Sequence, residues 1–238
     1  MTLMLASIRP YDVVLTADGR STTRTKGVVT GIDDRFQKLF PVPDHPVVIG
    51  HLGENHLNGK PVGEFLSDFM RQLNAGNHTI VEIADQLRSF AHPAVRLRLK
   101  AINGGDLRCG LWVAGFGAGE EHPRLVENLW KWKDQVLSCD EKQFLPLSVV
   151  EGGDGQKQIH PADWHIEKDK SIEEVREYHK TMMDEAINAK LAFNSVGGQV
   201  HELVITRDEW KWTLPPPVEK EDQKPSTQPA TLPTSPPS

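Results

Sequence analysis

The second residue is the one whose position carries the most chemical information. Thr2 follows Met1. A small second residue such as threonine permits removal of the initiator methionine, so we expect the mature chain to begin at Thr2. An N-terminal threonine combines a nucleophile and a base, because its hydroxyl can attack a carbonyl while its α-amino group takes up the proton. The ordinary pKa of that amine is about 7.7–8.0, and a nearby ammonium would lower it. Thr2 is therefore suited to nucleophilic attack on a carbonyl.

Two other patterns invite chemical interpretations that the surrounding sequence opposes. The glycine-rich segment 115–119 follows an apolar run, as a dinucleotide-binding loop does, but it continues into Glu120 and Glu121, which would repel phosphate. His160 and His165 lack the i, i+4 spacing of a helical metal site. We therefore expect a hairpin loop at 115–119, no metal ion and no cofactor.

Composition narrows the class of protein. The chain of 238 residues has a formal net charge of -6 and a mean hydropathy of -0.44, which argues against a nucleic-acid binder that neutralises phosphates. Cys109 and Cys139 show no metal-ligand or disulfide-framework spacing. The N-terminal apolar stretch is broken by Arg9, Pro10 and Asp12 before it could form a leader or a membrane span. These features predict a cytoplasmic protein with no membrane contact.

The apolar pattern predicts an α+β domain. Strands are expected at residues 3–8, 13–17, 46–50, 111–115, 124–132, 200–206 and 210–212. Helices are expected from Val62, from the capping box of Thr79 and Glu82 up to Pro93, and from the capping box of Ser171 and Glu174. Helices grouped between blocks of hairpin strands favour antiparallel sheets packed in layers with helices outside. We assign residues 2–214 to one domain and residues 215–238, rich in proline, to a disordered tail.

Several short segments together resemble the proteasome β-type family of N-terminal-nucleophile peptidases, which includes simpler bacterial proteasome-like subunits. They are the start at Thr2, the strand 13–20 that ends in Asp18-Gly19, the segment 36–41 with Lys38-Leu39, the run 47–53 that ends in Gly53, and the Gly197-Gly198 turn. The resemblance spans most of residues 2–207. It implies a four-layer αββα sandwich, peptide or unfolded-protein substrates, a homo-oligomeric ring and a possible ATPase partner.

The same resemblance implies roles for individual residues. Thr2 would be the nucleophile and, through its amine, the general base. Lys38 would lower the pKa of that amine, and Asp18 would hold Lys38 charged and oriented. The backbone N–H of Gly53 would stabilise the oxyanion. His51 would line the pocket for the substrate side chain that precedes the scissile bond.

Three features leave alternatives open. Lys26 competes with Lys38 for the lysine role, since the interval between Asp18 and Lys38 is longer than the family's usual one. Asp154, in Gly153-Asp154-Gly155, stands where the family often has a supporting serine. Asn194 and Ser195 precede the Gly-Gly turn where an aspartate is common. The other functions open to this fold are a non-catalytic ring subunit and an amidohydrolase that acts on a small amide.

Overall fold

The computed structural model describes residues 3–25, 28–102, 107, 109–153, 170–189 and 196–216. The described strands are β1 (Leu3–Ile8), β2 (Asp12–Ala17), β3 (Ser21–Thr25), β4 (Val28–Asp33), β5 (Leu39–Pro41), β6 (Val47–Gly53), β7 (His56–Leu57), β8 (Lys60–Pro61), β9 (Cys109–Gly115), β10 (Arg124–Lys133), β11 (Val136–Phe144), β12 (Ser148–Gly153), β13 (His201–Thr206) and β14 (Trp210–Leu214). The described helices are α1 (Val62–Gln72), α2 (Ile80–Ala101) and α3 (Ile172–Asn188). Thr2, Lys26, Asp154, His160, His165 and the tail from residue 217 lie outside the described residues, so the predictions made for them stay predictions.

Two antiparallel sheets form the centre of the fold. Sheet I has the strand order β12-β1-β2-β13-β14, and sheet II has the order β11-β10-β9-β6-β5. Every neighbouring pair within these two sheets is antiparallel. Antiparallel neighbours can be joined by short hairpins, which agrees with the hairpin pattern of the sequence.

Alternation along β1 explains why sheet I is covered on both faces. Leu3 and Leu5 pack against Met183 of α3, whereas Met4 and Ala6 lie in the apolar cluster between the sheets. Successive side chains of a strand point to opposite faces, so an uninterrupted apolar strand must be buried on both sides.

Sheet II shows the same arrangement with the other helices. Ile49 of β6 joins the cluster formed by Phe65 of α1 and Leu87 of α2, while Val48 lies in the cluster between the sheets with Trp112 of β9. The layers are therefore α1 and α2, sheet II, sheet I, and α3. This is the predicted α+β fold, a four-layer αββα sandwich.

The helix starts follow the capping signals, but one predicted stop is wrong. Thr79 with Glu82 and Ser171 with Glu174 form complete capping boxes at the starts of α2 and α3. Helix α2 continues through Pro93 to Ala101. Proline removes one helical hydrogen bond. The apolar face resumes beyond it with Val95 and Leu99, both buried against sheet II, and that packing favours the helix over a break.

Strands β11 and β12 were not anticipated from the sequence. Strand β11 alternates exposed and half-buried positions and carries polar residues such as Asp140, Glu141 and Lys142, so its apolar signal is weak. Its pairing with β10 along Leu125–Lys133 holds it in sheet II. Among the described residues, no helix is long and apolar enough to cross a lipid bilayer.

Candidate functional site

The carboxylate of Asp18, just after β2, is fully buried and accepts four hydrogen bonds. Its Oδ1 accepts from the Leu3 amide at 2.8 Å and from Lys38 Nζ at 2.6 Å. Its Oδ2 accepts from the Gly197 amide at 3.1 Å and from the Arg20 amide at 3.3 Å. A buried carboxylate needs such donors to offset its lost hydration. Asp18 therefore joins the first described residue of the chain, the lysine and the Gly-Gly turn.

Lys38 and Asp18 form a buried ion pair. The side chain of Lys38 is 2% exposed and that of Asp18 is 0% exposed. Burial lowers the pKa of Lys38, and the Asp18 carboxylate opposes that shift by favouring the ammonium. The structure thus brings together two of the residues that the sequence proposed for one site.

The peptide backbone of Lys38 is held by both sheets. Its N–H donates to His201 Nε2 of β13 at 3.1 Å, and its carbonyl oxygen accepts from the His51 amide of β6 at 2.9 Å. Strand β13 belongs to sheet I and β6 to sheet II. Lys38 therefore bridges the two sheets immediately before β5.

Both histidines beside Lys38 are neutral at physiological pH. Burial lowers the pKa of His51 to about 3 and the pKa of His201 to about 4, and the charge of Lys38 acts in the same direction on both. His51 Nε2 donates to the Glu54 carbonyl oxygen at 2.7 Å. His51 is 1% exposed, so its predicted place in a substrate pocket stays a prediction.

The glycines near Asp18 allow two turns to touch. A Cβ at Gly19 would lie 2.4 Å from the Gln199 carbonyl oxygen, and one at Gly198 would lie 2.5 Å from the Asp34 carbonyl oxygen. Gly198 also has a φ of 74°, which L side chains seldom adopt. This close approach brings the Gly197 amide to Asp18, a contact that the sequence did not reveal.

Gly53, the predicted oxyanion donor, ends β6 with a φ of 95°. It lies two residues beyond His51, whose amide is bonded to Lys38. A left-handed glycine can turn its N–H away from the regular ladder direction, but the oxyanion role of Gly53 stays a prediction.

In the glycine-rich loop, the carboxylate of Glu120 occupies the position that a bound phosphate would need. Glu120 Oε2 accepts from the Gly117 amide at 2.8 Å and from the Ile80 amide, in the first turn of α2, at 3.2 Å. Its Oε1 lies 3.1 Å from Arg124 Nε. A helix N-terminus attracts anions, and here a side chain already satisfies it. Among the described residues, no cluster of three or more His, Cys, Asp or Glu side chains could hold a metal ion.

Sequence reasoning missed His201 and the backbone donors of Leu3 and Gly197. His201 lies 163 positions from Lys38 in the chain, so no local pattern could connect the two. The one available signal was the Gly197-Gly198 turn shortly before it.

Comparison with solved structures supports the fold. The Anbu complex from Pseudomonas aeruginosa, described as a helical assembly, aligns with a TM-score of 0.66 and 18% identity over 89% of this chain and 86% of that chain. Anbu, the ancestral beta-subunit, from Yersinia bercovieri aligns with a TM-score of 0.60 and 17% identity over 88% of this chain and 86% of that chain. No protein-family model and no curated protein matches the chain.

These neighbours correct the family suggested by the sequence. The chain resembles Anbu subunits, which are related to proteasome β-type subunits but form a distinct family, so the assignment to the proteasome β-type family is wrong. The short motifs around Asp18, Lys38 and Gly53 did not distinguish the two families. The conclusion from these similarities is a shared fold, that of the ancestral beta-subunit.

Proposed function

We propose that this chain is a threonine-type peptidase subunit that uses Thr2 as its N-terminal nucleophile within a homo-oligomer. One observation carries the proposal: Asp18 Oδ1 accepts from both Lys38 Nζ and the amide of Leu3, the residue bonded to Thr2. Asp18 thus holds the Lys38 ammonium near the start of the chain, and a neighbouring ammonium helps to keep the amine of an N-terminal nucleophile neutral.

The reaction has two halves. The Thr2 hydroxyl attacks the peptide carbonyl while the α-amine takes its proton, and the new Oγ–C bond gives a tetrahedral oxyanion for which the Gly53 N–H is the candidate donor. The C–N bond then breaks, the leaving amine receives the proton, and an ester to Thr2 remains. Water activated by the same amine hydrolyses that ester and restores the hydroxyl.

Each residue of the ion pair has a distinct role in this scheme. The Lys38 ammonium lowers the pKa of the α-amine, so that the amine is neutral and can accept a proton near pH 7. Asp18 keeps Lys38 charged and fixed in direction. Lys26 remains the rival lysine, and Asp154 remains a proposed supporting residue.

Self-assembly is the second part of the proposal, supported by the helical assembly of the Pseudomonas aeruginosa neighbour. A head-to-tail interface closes into a ring or continues as a helix according to its rotation. Electron microscopy of the purified chain should show rings or short helical filaments, and uniform monomers would contradict this part. An ATPase partner stays a prediction.

The test of the nucleophile uses a β-lactone probe and intact-mass measurement. We expect loss of Met1, one acyl adduct per chain mapped to Thr2, and hydrolysis of a fluorogenic peptide. Thr2→Ser should retain the adduct, and Thr2→Ala should lose both the adduct and peptide cleavage. Peptide cleavage by a chain that keeps Met1, or an adduct at another residue, would contradict the proposal.

The same experiment separates the two alternatives. A non-catalytic subunit would give no adduct and no turnover. A small-amide hydrolase would form the adduct and cleave a free primary amide, but not the peptide.

A further inference from the structure

His201 is a buried imidazole whose contact with the Lys38 backbone the proposed mechanism does not yet use. It begins β13, is 0% exposed, and packs edge-on against Trp212 with the ring centroids 6.2 Å apart. Its Nε2 lies 3.1 Å from the Lys38 amide nitrogen. The His201 ring, in sheet I, therefore contacts Lys38, which directly precedes β5 of sheet II.

The chemistry of the two partners fixes the direction of this hydrogen bond. A backbone N–H can only donate, so His201 Nε2 must be unprotonated and must accept. Burial lowers the pKa of His201 to about 4, and the Lys38 charge acts in the same direction. The charged groups near this contact are Lys38 and its partner Asp18, with Arg20 close to both. The acceptor state of His201 is therefore maintained across the neutral pH range.

Because the contact is buried, it matters more than a hydrogen bond at the surface. Among the described residues, the hydrogen-bond partner of the Lys38 amide is the His201 side chain. Lys38 is 1% exposed. Removing the acceptor would leave a buried donor unsatisfied, which the chain can relieve by moving the Lys38 backbone. Such a movement would carry Nζ away from its position against Asp18.

We propose that His201 is a positioning residue: by accepting from the Lys38 amide, it fixes the peptide from which the ammonium reaches Asp18. The catalytic consequence rests on the proposed function, because it concerns the ammonium beside the start of the chain. The positional statement, that His201 sets the Lys38 backbone, is independent of catalysis. His201 itself touches neither Asp18 nor a substrate in this account.

Three variants separate positioning from general stability. His201→Leu removes the acceptor, whereas His201→Gln keeps one, because its Oε1 can reach the place of Nε2. His179→Leu is the matched control: His179 is also a fully buried neutral histidine facing sheet I, but it bonds to Ser7 and Thr16 instead of Lys38. It reports what the loss of a buried imidazole does without the contact to Lys38.

The first measurement follows the Lys38 amide by NMR in the full chain. We expect its proton resonance to move in His201→Leu, to return in His201→Gln and to stay at the wild-type position in His179→Leu. An unchanged Lys38 amide in His201→Leu would overturn the proposal. This result is decisive even if the chain proves to have no hydrolase activity.

The second measurement is the pH dependence of β-lactone acylation. We expect the midpoint to rise by about one pH unit in His201→Leu. This is the change in the pKa of the α-amine when the Lys38 ammonium moves from roughly 4 to roughly 6 Å away from it, at an effective dielectric constant of about 20. His201→Gln should restore the midpoint, and His179→Leu should keep the wild-type value. If the wild type is acylated and His201→Leu has the same midpoint, the catalytic consequence is overturned. Failure of the wild type to react would instead reject the proposed function and leave the NMR result to decide the position of Lys38.

Discussion

Two buried polar clusters lie against sheet I, and only one of them has a geometry suited to an N-terminal nucleophile. The inner cluster joins Asp18, Lys38 and His201. The outer cluster, under α3, contains a serine, a histidine, a threonine and a glutamate: Ser7, His179, Thr16 and Glu202. By residue type alone, the outer cluster looks more like a hydrolase site than the inner one.

Hydrogen bonds in the outer cluster form one directed chain that runs from Ser7 to Glu202. The single proton of the Thr16 hydroxyl goes to Glu202 Oε2, 3.0 Å away, so Thr16 must accept from His179 Nδ1 at 2.7 Å. His179 Nε2 must then accept from the Ser7 hydroxyl at 2.8 Å. Arg176 donates to Glu202 Oε1 at 2.6 Å and completes the chain.

Arrangement, and not residue type, separates the two clusters. Ser7, Thr16 and His179 are at most 1% exposed, and their bonds tie α3 to sheet I. The inner cluster instead combines a charged pair with two backbone amides, that of Leu3 near the start of the chain and that of Gly197 shortly before β13. We therefore expect the outer cluster to control stability alone, and the inner cluster to control both stability and the reactivity of Thr2.

Acid should weaken both clusters and gives the largest expected effect. The pKa values of His51 and His179 are about 3 and that of His201 is about 4, all below the unfolded value of about 6.5. Between these limits the unfolded chain binds more protons than the native state, so the free energy of unfolding falls as pH falls below about 6.5. Well below pH 6.5 each imidazole contributes about 1.4 kcal/mol per pH unit, and the three together contribute about 5 kcal/mol between pH 6.5 and pH 5.

Urea unfolding at several pH values between 7 and 5.5 measures this slope. Removal of either His179 or His201 should reduce it by about a third. A free energy of unfolding that stays level through this range would show that these imidazoles are not buried in their neutral form.

Lys38→Met comes next, because it leaves the Asp18 carboxylate buried without its cation. We expect the free energy of unfolding to fall by about 3–5 kcal/mol. The matched control is Lys60→Met, which removes an exposed lysine from its ion pair with Asp68 and should have little effect. Equal effects of the two substitutions in denaturant melts would argue against the buried ion pair.

His179→Leu should cost about 2–4 kcal/mol, since it leaves the hydroxyls of Ser7 and Thr16 buried without their partner. The difference from the inner cluster lies in reactivity: peptide cleavage at 25 °C should be unchanged as long as the chain is folded. A loss of cleavage in a folded variant would place the outer cluster in the catalytic machinery.

Ser7→Ala gives the smallest expected effect, about 1 kcal/mol, because it removes one donor and leaves His179 Nε2 without a hydrogen bond. Thermal melts monitored by circular dichroism measure it. Peptide cleavage by Ser7→Ala should equal that of the wild type. Its loss would mean that Ser7, and not Thr2, supplies the nucleophile.

Local signals in the sequence were enough to predict much of the fold. The capping boxes at Thr79 and Ser171 and the apolar run of β1 depend on neighbours in the chain, and the structure confirms those elements. The passage of α2 through Pro93 and the pairing of polar β11 depend on packing against distant segments. Those features could not be predicted from a single short window.

The candidate site also contains some residues that the sequence predicted and others that only the fold brings together. Asp18 and Lys38 were predicted from the resemblance to the proteasome β-type family, and the structure pairs them. His201 and Gly197 come from a part of the chain far removed in sequence, and only the fold brings them to Lys38 and Asp18. The roles of Thr2, Gly53, His51 and Asp154 remain predictions.

The pKa of the Thr2 α-amine shows whether the Asp18–Lys38 pair prepares Thr2 for catalysis. It can be measured as the midpoint of β-lactone acylation against pH in the wild type, Lys38→Met and Lys38→Arg. We expect a wild-type value below the ordinary 7.7–8.0 and a higher value in Lys38→Met, where the ammonium is lost and Asp18 is unpaired. Lys38→Arg keeps the positive charge and should have a value near the wild type. A midpoint that is the same in all three proteins would contradict the claim that the Asp18–Lys38 pair prepares Thr2 for catalysis.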